Sequence, residues 1–493
     1  MNLEWIKIHS DDTVGVALKE LVAGNNLDGT DLALIDNIPA GHKFALHMIG
    51  KGDKIIKYGM PIGYAKESIP EGKHVHTHNL TTALSGTLEY TYTPAIQIRY
   101  SGLLKERSFM GYMRENGEVG IRNELWIVPL VGCVNGIGNL IMNQFKSRNP
   151  EKEDVFVFSH NYGCSQLGDD HINTRTILQD IVKHPNGGGV LIIALGCENN
   201  NIEEFKKTLG DYPAERIRFL HCQDSKDEVA DGLAMLEELY NGIKEMAREE
   251  ISLAKLRVGL KCGASDGLSG ITANPLLGVF TDYHTSFGGT AVLTEVPEMF
   301  GAETILMSRA ESENVFKKTV SLINGFKDYF ASYNQPVYEN PSPGNKSGGI
   351  STLEEKSLGC IQKAGNATVV DVLNYGGRLK KSGLNLLDSP GNDLVATTAL
   401  GASGCQIVLF TTGRGTPFGG FVPTMKVATN TNLSVNKKHW IDFNAGCLAD
   451  GEPMERTIER FLEKIIQVAN GEKLHHEISG NKEIAIFKNG VTL

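Results

Sequence analysis

ELWIVPLVGCVNGIGNLIMNQFKS, residues 124–147, joins an unbroken apolar run to an amphipathic stretch through one Gly-Cys turn. A short apolar run without polar alternation is a strand covered on both faces, as in a parallel sheet packed between helices. The unit recurs. DVFVFS (154–159) precedes HINTRTILQDIVKH (171–184), GVLIIAL (189–195) precedes IEEFKKTL (202–209), and RIRFL (216–220) precedes DEVADGLAMLEELYNGIKEMAREEI (227–251). Strands alternating with helices predict a doubly wound α/β layer over 105–253. The charged end of the last predicted helix marks the boundary near Leu253.

Beyond that boundary, LRVGL (256–260), AVLTEV (291–296), ATVVDVL (367–373) and QIVLF (406–410) predict a second α/β region over 254–493. Its loops are glycine-rich, as loops that carry function often are: NPSPGNKSGG (340–349), YGGRLKKSG (375–383) and GRGTPFGG (413–420). In the other direction, residues 1–102 read as short strands: DLALI (31–35), KFALHMI (43–49), KIIKYG (54–59) and EYTYTPAIQIRY (89–100). IPAGHK (38–43) and IPEGKH (69–74) interrupt them, so a small clip-like β domain is expected, with a hint of internal duplication.

Bulk properties narrow the function. The chain has 493 residues, 41% hydrophobic and 22% charged, with a formal net charge of −10. No basic run supplies a phosphate footprint, so a nucleic-acid partner is excluded. No run of 18 apolar residues is present, so a membrane span is not expected. MNLEWIKIHS (1–10) does not resemble a secretory leader, and eight cysteines in so long a chain do not describe a disulfide scaffold. Reduced thiols in the cytoplasm are the expectation.

Three strands of the middle region end alike: LVGCVN carries Cys133, HNYGCSQ carries Cys164, and ALGCENN carries Cys197. Ligands of open parallel sheets bind beyond the carboxyl ends of the strands, and a helix start favours a nearby thiolate. Cys133, Cys164 and Cys197 therefore read as iron ligands, with an iron–sulfur cluster as one form. LKCGASDG places Cys262 similarly. GCVNGIG (132–138) departs from G-x-G-x-x-G at Val134, which argues against a nicotinamide cofactor.

HVHTHN (74–79) is the sharpest motif. On a strand, His74, His76 and His78 would share one face and could close on a metal. GHK adds His42 and Lys43 at a turn. GRGTPFGG offers Gly413, Arg414, Gly415 and Thr416 to an anion, NPSPGNKSGG offers Lys346, and SDGLSGITANP offers Ser265 and Asp266 before a predicted helix. EVPEMFGAE (295–303) sets Glu295, Glu298 and Glu303 after a strand, where a carboxylate can act as base or ligand.

Together, GHKFAL, IKYGMPIGYA, HVHTHN, VGIRNELWIVP, VGCVNG, FSHNYGCSQLGDDH, LGCENN, SDGLSGITANP, LTEVPEMFGAE, ENPSPGNKSGGI, PGND, FTTGRGTPFGG and AIFKNGVTL resemble the altronate/galactarate dehydratase family over essentially the whole chain. The resemblance implies a SAF-type β-clip domain followed by Rossmann-like α/β regions with parallel sheets. It implies an Fe²⁺ requirement, with Mn²⁺ as a substitute, and dehydration of D-altronate to 2-dehydro-3-deoxy-D-gluconate in hexuronate catabolism. The site it suggests has His42, Lys43, His160 and Glu295 in catalysis. Arg122, Asn123, Ser265, Asp266, Lys346, Gly413, Arg414, Gly415 and Thr416 would bind a small sugar acid. The metal would sit on His74, His76 and His78, or on Cys133, Cys164 and Cys197, and the chain would form a homodimer. The rival expectations are galactarate dehydration, sulfite elimination from sulfolactate, and a non-catalytic carbohydrate- or anion-binding protein.

Overall fold

The computed structural model describes residues 3–95 and 105–493. It is a mixed α/β structure with two parallel sheets and a β-rich N-terminal unit.

The N-terminal unit has two small antiparallel sheets. One runs in the order Trp5–Ile6, Val14–Ala17, Lys43–Ala45, His74–Val75; the other joins Lys54–Lys57, Met60–Ala65 and Leu80–Thr81. The two IP-x-G segments form matching turns. His42 N donates to Pro39 O at 3.0 Å and Lys73 N to Pro70 O at 3.2 Å. Gly41 and Gly72 take φ of 81° and 75°, which only glycine adopts freely. These turns feed paired strands in the register Lys43↔Val75 and Phe44↔His74.

Two expectations fail in this unit. DLALI forms only an isolated bridge, Asn26↔Ala33, and 89–95 is irregular. The rest of EYTYTPAIQIRY, 96–100, lies outside the described residues.

The middle sheet is wholly parallel, in the order Val155–Val157, Glu124–Pro129, Gly187–Ala194, Ile217–His221. All of Glu124–Pro129 and Gly187–Ala194 is buried. Leu125, Ile127, Leu191 and Ile193 pack on helices Asn135–Arg148 and Glu228–Ile243 through Ile141, Phe145 and Leu236. The helix expected over 227–251 stops at Ile243. The chain then turns back as strand Glu249–Ser252, which pairs with Ser108–Met113 and puts Ile251 opposite Phe109. Local charge periodicity reads as helix there, but the antiparallel pairing that buries Ile251 decides the outcome.

The C-terminal sheet has seven parallel strands in the order Val369–Leu373, Gly383–Leu387, Thr290–Leu293, Arg257–Gly263, Ile407–Thr412, Thr424–Ala428, Phe443–Asn444. Gly383–Leu387 and Thr424–Ala428 escaped sequence reading because Asn385, Thr424 and Lys426 interrupt the apolar pattern. Helix Met454–Ala469 covers one face with Ile458, Phe461, Leu462, Ile465 and Ile466. Each such side chain contributes about 1.5–3 kcal/mol by leaving water. The strand order reverses between Arg257–Gly263 and Ile407–Thr412, and a crevice opens beyond the carboxyl ends of these two strands, as the topology requires.

Candidate active site

The crevice is a cleft of about 560 Å³ lined by Cys262, Ala264, Glu298, Lys346, Lys356 and Asp393, among others. Its walls join at the switch point, where Gly413 N donates to Ala264 O at 3.1 Å. The floor is a buried ionic network. Lys261 donates to Glu295 and, at 2.9 Å, to Asp393. Lys363 reaches Glu295 at 3.0 Å, and Lys356 reaches Glu298 at 2.8 Å. Glu295 takes φ 70°, ψ 59°, a left-handed conformation that costs a non-glycine residue about 1–3 kcal/mol and is retained where the surroundings over-determine it.

Across the loop 340–351 lies a cluster of histidines from the N-terminal unit. The strand register puts His42 opposite His76. Ring centroids are 5.2 Å apart for His42–His74, 5.1 Å for His42–His76, 5.6 Å for His74–His76 and 5.5 Å for His74–His78. His42 Nδ1 and His74 Nε2 face each other at 3.0 Å, and His42 Nε2 lies 3.3 Å from Ser347 O. Burial, then the neighbouring His42 and Lys43, push the His74 pKa down to about 4. Burial, then Lys43 and His42, push that of His76 down to about 3.

Lys43 is wholly buried beside this cluster. Its Nζ donates to Ser351 Oγ at 2.7 Å and to Gly349 O at 3.0 Å, and pairs with Glu355 at 2.8 Å. Ser351 Oγ is also 2.8 Å from His76 Nδ1, so one hydroxyl joins the amine to an imidazole. Lys57 takes the other oxygen of Glu355 at 2.8 Å. Burial lowers the Lys43 pKa to about 8; Glu355 opposes the shift and Lys57 adds to it. Glu355 is held down at about 2, because Lys43 and Lys57 outweigh the cost of its burial.

Glycine lets the two halves meet. A Cβ on Gly267 would sit 1.8 Å from Gly41 O, a backbone atom with nowhere to go. Gly267→Ala is therefore expected to cost about 1–3 kcal/mol, the usual range for overpacking, and to remove activity by lifting the histidine turn off the crevice. Thermal melts and turnover check this together; a fully active, unshifted protein would show that the contact is dispensable.

Comparison with known proteins agrees with this architecture. The family model described as "Altronate/galactarate dehydratase SAF domain" matches residues 3–83. That for "D-galactarate dehydratase/Altronate hydrolase, second domain" matches 111–244, and that for "D-galactarate/Altronate dehydratase, C-terminal" matches 253–492. A protein named altronate dehydratase from Escherichia coli (strain K12) is 55% identical over 496 residues, covering 100% of both chains.

The chain belongs to the altronate/galactarate dehydratase family.

Another altronate dehydratase, from Bacillus subtilis (strain 168), is 55% identical over 99% of each chain. The Escherichia coli (strain K12) protein named galactarate dehydratase (L-threo-forming) is 35% identical over 95% of this chain and 93% of its own.

Several residues that the family resemblance suggested for substrate binding have structural work instead. Arg122 has all five donors occupied. Nε and Nη2 grip Glu477 at 2.9 and 2.8 Å, and the carbonyls of Ile121, Val468 and Glu472 take the rest. Asn123 donates to Ile243 O at 3.0 Å and accepts from Arg114 at 3.1 Å. Both therefore hold elements together and present no free fork to a sugar acid.

His160 lies in the middle region with both ring nitrogens engaged by backbone, Nε2 at 2.7 Å from Pro129 O and Nδ1 accepting from Tyr162 N at 3.1 Å. Asp266, half-buried, accepts from Ser269, Thr429 and Asn430 and so braces the turn. Burial raises its pKa against those hydrogen bonds.

Other suggested residues do reach the crevice or its rim. The Ser265 carbonyl accepts from Asn345 at 2.8 Å, while its buried Oγ has no partner among the described residues. Arg414 donates through Nη1 to Ser347 Oγ at 2.7 Å. Lys346 lines the cleft, and its amine has no protein partner among the described residues. Gly413, Gly415 and Thr416 shape the turn that carries Arg414: Gly415 N donates to Thr412 Oγ1 at 2.9 Å and Thr416 Oγ1 accepts from Phe418 N at 3.2 Å.

HVHTHN is not a continuous strand. The strand ends at Val75, and a turn follows in which His76 N donates to Asn79 Oδ1 at 2.9 Å. That turn gathers the rings more closely than an extended strand would. Cys133, Cys164 and Cys197 are exposed on loops at the carboxyl edge of the middle sheet. Those loops are laced together: Gly132 N donates to Tyr162 O at 2.9 Å and Asn200 N to Gly163 O at 3.0 Å.

Sequence reading missed Glu355, Lys57, Ser351, Lys356 and Cys360. Four of them follow Ile350 in STLEEKSLGC, and all eight residues of helix Leu353–Cys360 are buried. Charged helical residues read as a solvated face, so no local signal marks them.

Proposed function

We infer that the protein is a hydro-lyase that dehydrates D-altronate to 2-dehydro-3-deoxy-D-gluconate, a step of hexuronate breakdown. Full-length similarity to two altronate dehydratases supports the substrate, and the weaker similarity to a galactarate dehydratase makes galactarate the second choice. The observation that carries the chemistry is the buried Lys43 amine beside a histidine cluster, both bonded to the loop 340–351 whose other side lines an anion-ready cleft.

Removing water from a 2,3-dihydroxy acid requires loss of a weakly acidic proton beside the carboxylate. Lys43, through the fraction that a pKa of about 8 leaves as free amine, takes that proton, and the ammonium formed is held by Glu355, Ser351 Oγ and Gly349 O. Lys346 and Arg414 hold the carboxylate from the rim. The proton taken by Lys43 is then returned to the departing 3-hydroxyl, which leaves as water and restores the amine, because the neutral rings of the cluster carry no acidic proton. The enol then becomes the keto acid without assistance.

The proposed cofactor is Fe²⁺, with Mn²⁺ as a substitute, at the cluster of His74, His76 and His78, where His42 comes closest to His74. The closest pair fits a metal: the His42 and His74 nitrogens 3.0 Å apart can both lie about 2.1 Å from one ion, and the His74 and His76 rings, with depressed pKa, are in the neutral, ligating form. When bound, the ion supplies Lewis acidity to the substrate carboxylate and 2-hydroxyl. A second reading places an iron–sulfur cluster on Cys133, Cys164 and Cys197, favoured by their exposure on three interlaced loops.

All eight cysteines are free thiols, which supports a cytoplasmic location, and among the described residues no helix is long and apolar enough to cross a membrane. The small-molecule substrate is the proposed partner, within a homodimer.

The test is anaerobic. Metal-stripped protein, reloaded with Fe²⁺, is offered altronate, galactarate and sulfolactate, and 2-keto acid is scored alongside acid-labile sulfide. Altronate should be consumed, and only after loading. An inert loaded protein, or equal rates before and after stripping, sinks the reading; sulfide in the active form moves the metal to the cysteines.

A further inference from the structure

One group at the crevice floor has no part in the chemistry above. Cys262 lies near the end of strand Arg257–Gly263, and Cys360 is the last residue of helix Leu353–Cys360. Their sulfurs are 3.3 Å apart, and Glu298 Oε2 lies 3.2 Å from the first and 3.1 Å from the second. Among the described residues, this is the only set of three His, Cys, Asp or Glu side chains whose ligand atoms all lie within 4.8 Å of one another. All three residues are buried, yet Cys262 and Glu298 line the cleft.

We propose that Cys262, Cys360 and Glu298 form a binding site for a thiophilic divalent cation, zinc or ferrous iron by class, with its remaining coordination positions facing the cleft.

Three arguments converge on this site. The near-equilateral triangle of donors matches one face of an ion with bonds of about 2.3 Å to sulfur and 2.0–2.2 Å to oxygen. The charges also close: Lys261, Lys356 and Lys363 face Glu295, Glu298 and Asp393, three cations against three anions. Binding one divalent cation releases the two thiol protons to solvent and forms two metal–sulfur bonds, so the balance is unchanged. Finally, three protein ligands are the count of an open, exchangeable site, whereas structural zinc sites close with four. The position at the sheet's switch point is where such folds keep their ligands. The inference is independent of the histidine cluster, and either can fail alone.

Metal-free, fully reduced full-length protein is titrated with Co²⁺ under argon. A sulfur-to-cobalt charge-transfer absorption saturating at one equivalent per chain is expected. Cys360→Ser and Cys262→Ser should abolish it, whereas His76→Ala and the combined Cys133→Ser, Cys164→Ser, Cys197→Ser protein should retain it. X-ray absorption of the zinc-loaded parent, which needs no variant to fold, should show two sulfur neighbours and at least one oxygen. Absence of the band, its survival in Cys360→Ser, its loss in the triple serine protein, or a sulfur-free zinc shell would each overturn the proposal.

Discussion

Lys43→Met is expected to lower kcat by about 10²- to 10⁴-fold, the usual contribution of a positioned proton acceptor, with KM changing little. The site should survive the change because Glu355 keeps Lys57 at 2.8 Å, so no buried carboxylate is left without a cation. Methionine matches the length of the lysine stem, so it fills much of the same buried space. Steady-state kinetics with altronate decide the matter. A kcat close to that of the parent would remove Lys43 from the chemistry. An equal fall in substrate affinity alone would make it a binding group.

Glu355→Gln should be strongly destabilising. The carboxylate is 2% exposed and serves two buried lysines at once. Removing the shared anion leaves two cations facing each other without compensation, and breaking a buried pair in this way costs about 3–5 kcal/mol. The pH dependence has a definite sign. The folded pKa of about 2 lies below the ordinary 4.5. The stabilisation is therefore complete above the ordinary value and drains away as pH falls towards 2. Urea melts over that window should show the parent losing stability through this range, with Glu355→Gln already low and flatter. Pairing the change with Lys57→Met should restore much of the loss by deleting one of the stranded cations. Wild-type-like melting of Glu355→Gln would refute the account.

The sheets were legible in the sequence because their strands are buried on both faces and announce it as continuous apolar runs, as in ELWIVPLV and GVLIIAL. Strands that carry Asn385, Thr424 or Lys426 were not, because these polar side chains, bonded mainly to backbone nearby in the chain, break the apolar run. The histidines were legible as a motif but not as a geometry. The register Lys43↔Val75 is what brings His42 to His76, and a turn, not a strand, gathers His78. Arg122 misled for a physical reason: a guanidinium with five backbone and carboxylate acceptors looks, in one dimension, like one waiting for a ligand. The second half of the lysine site was invisible because the contact between Lys57 and Glu355 spans 298 positions.

That separation has a consequence on the ribosome. At roughly 5–20 residues per second, the clip module emerges ~15–60 s before the helix that carries its counter-anion. For that interval Lys43 and Lys57 have no carboxylate to share, and their amines must stay hydrated rather than enter a dry interior. The nascent module, with eight lysines against ten carboxylates over residues 1–83, is expected to be a chemically silent intermediate. Lys43, the proposed proton acceptor, gains its lowered pKa only when the late-synthesised helix Leu353–Cys360 packs on it.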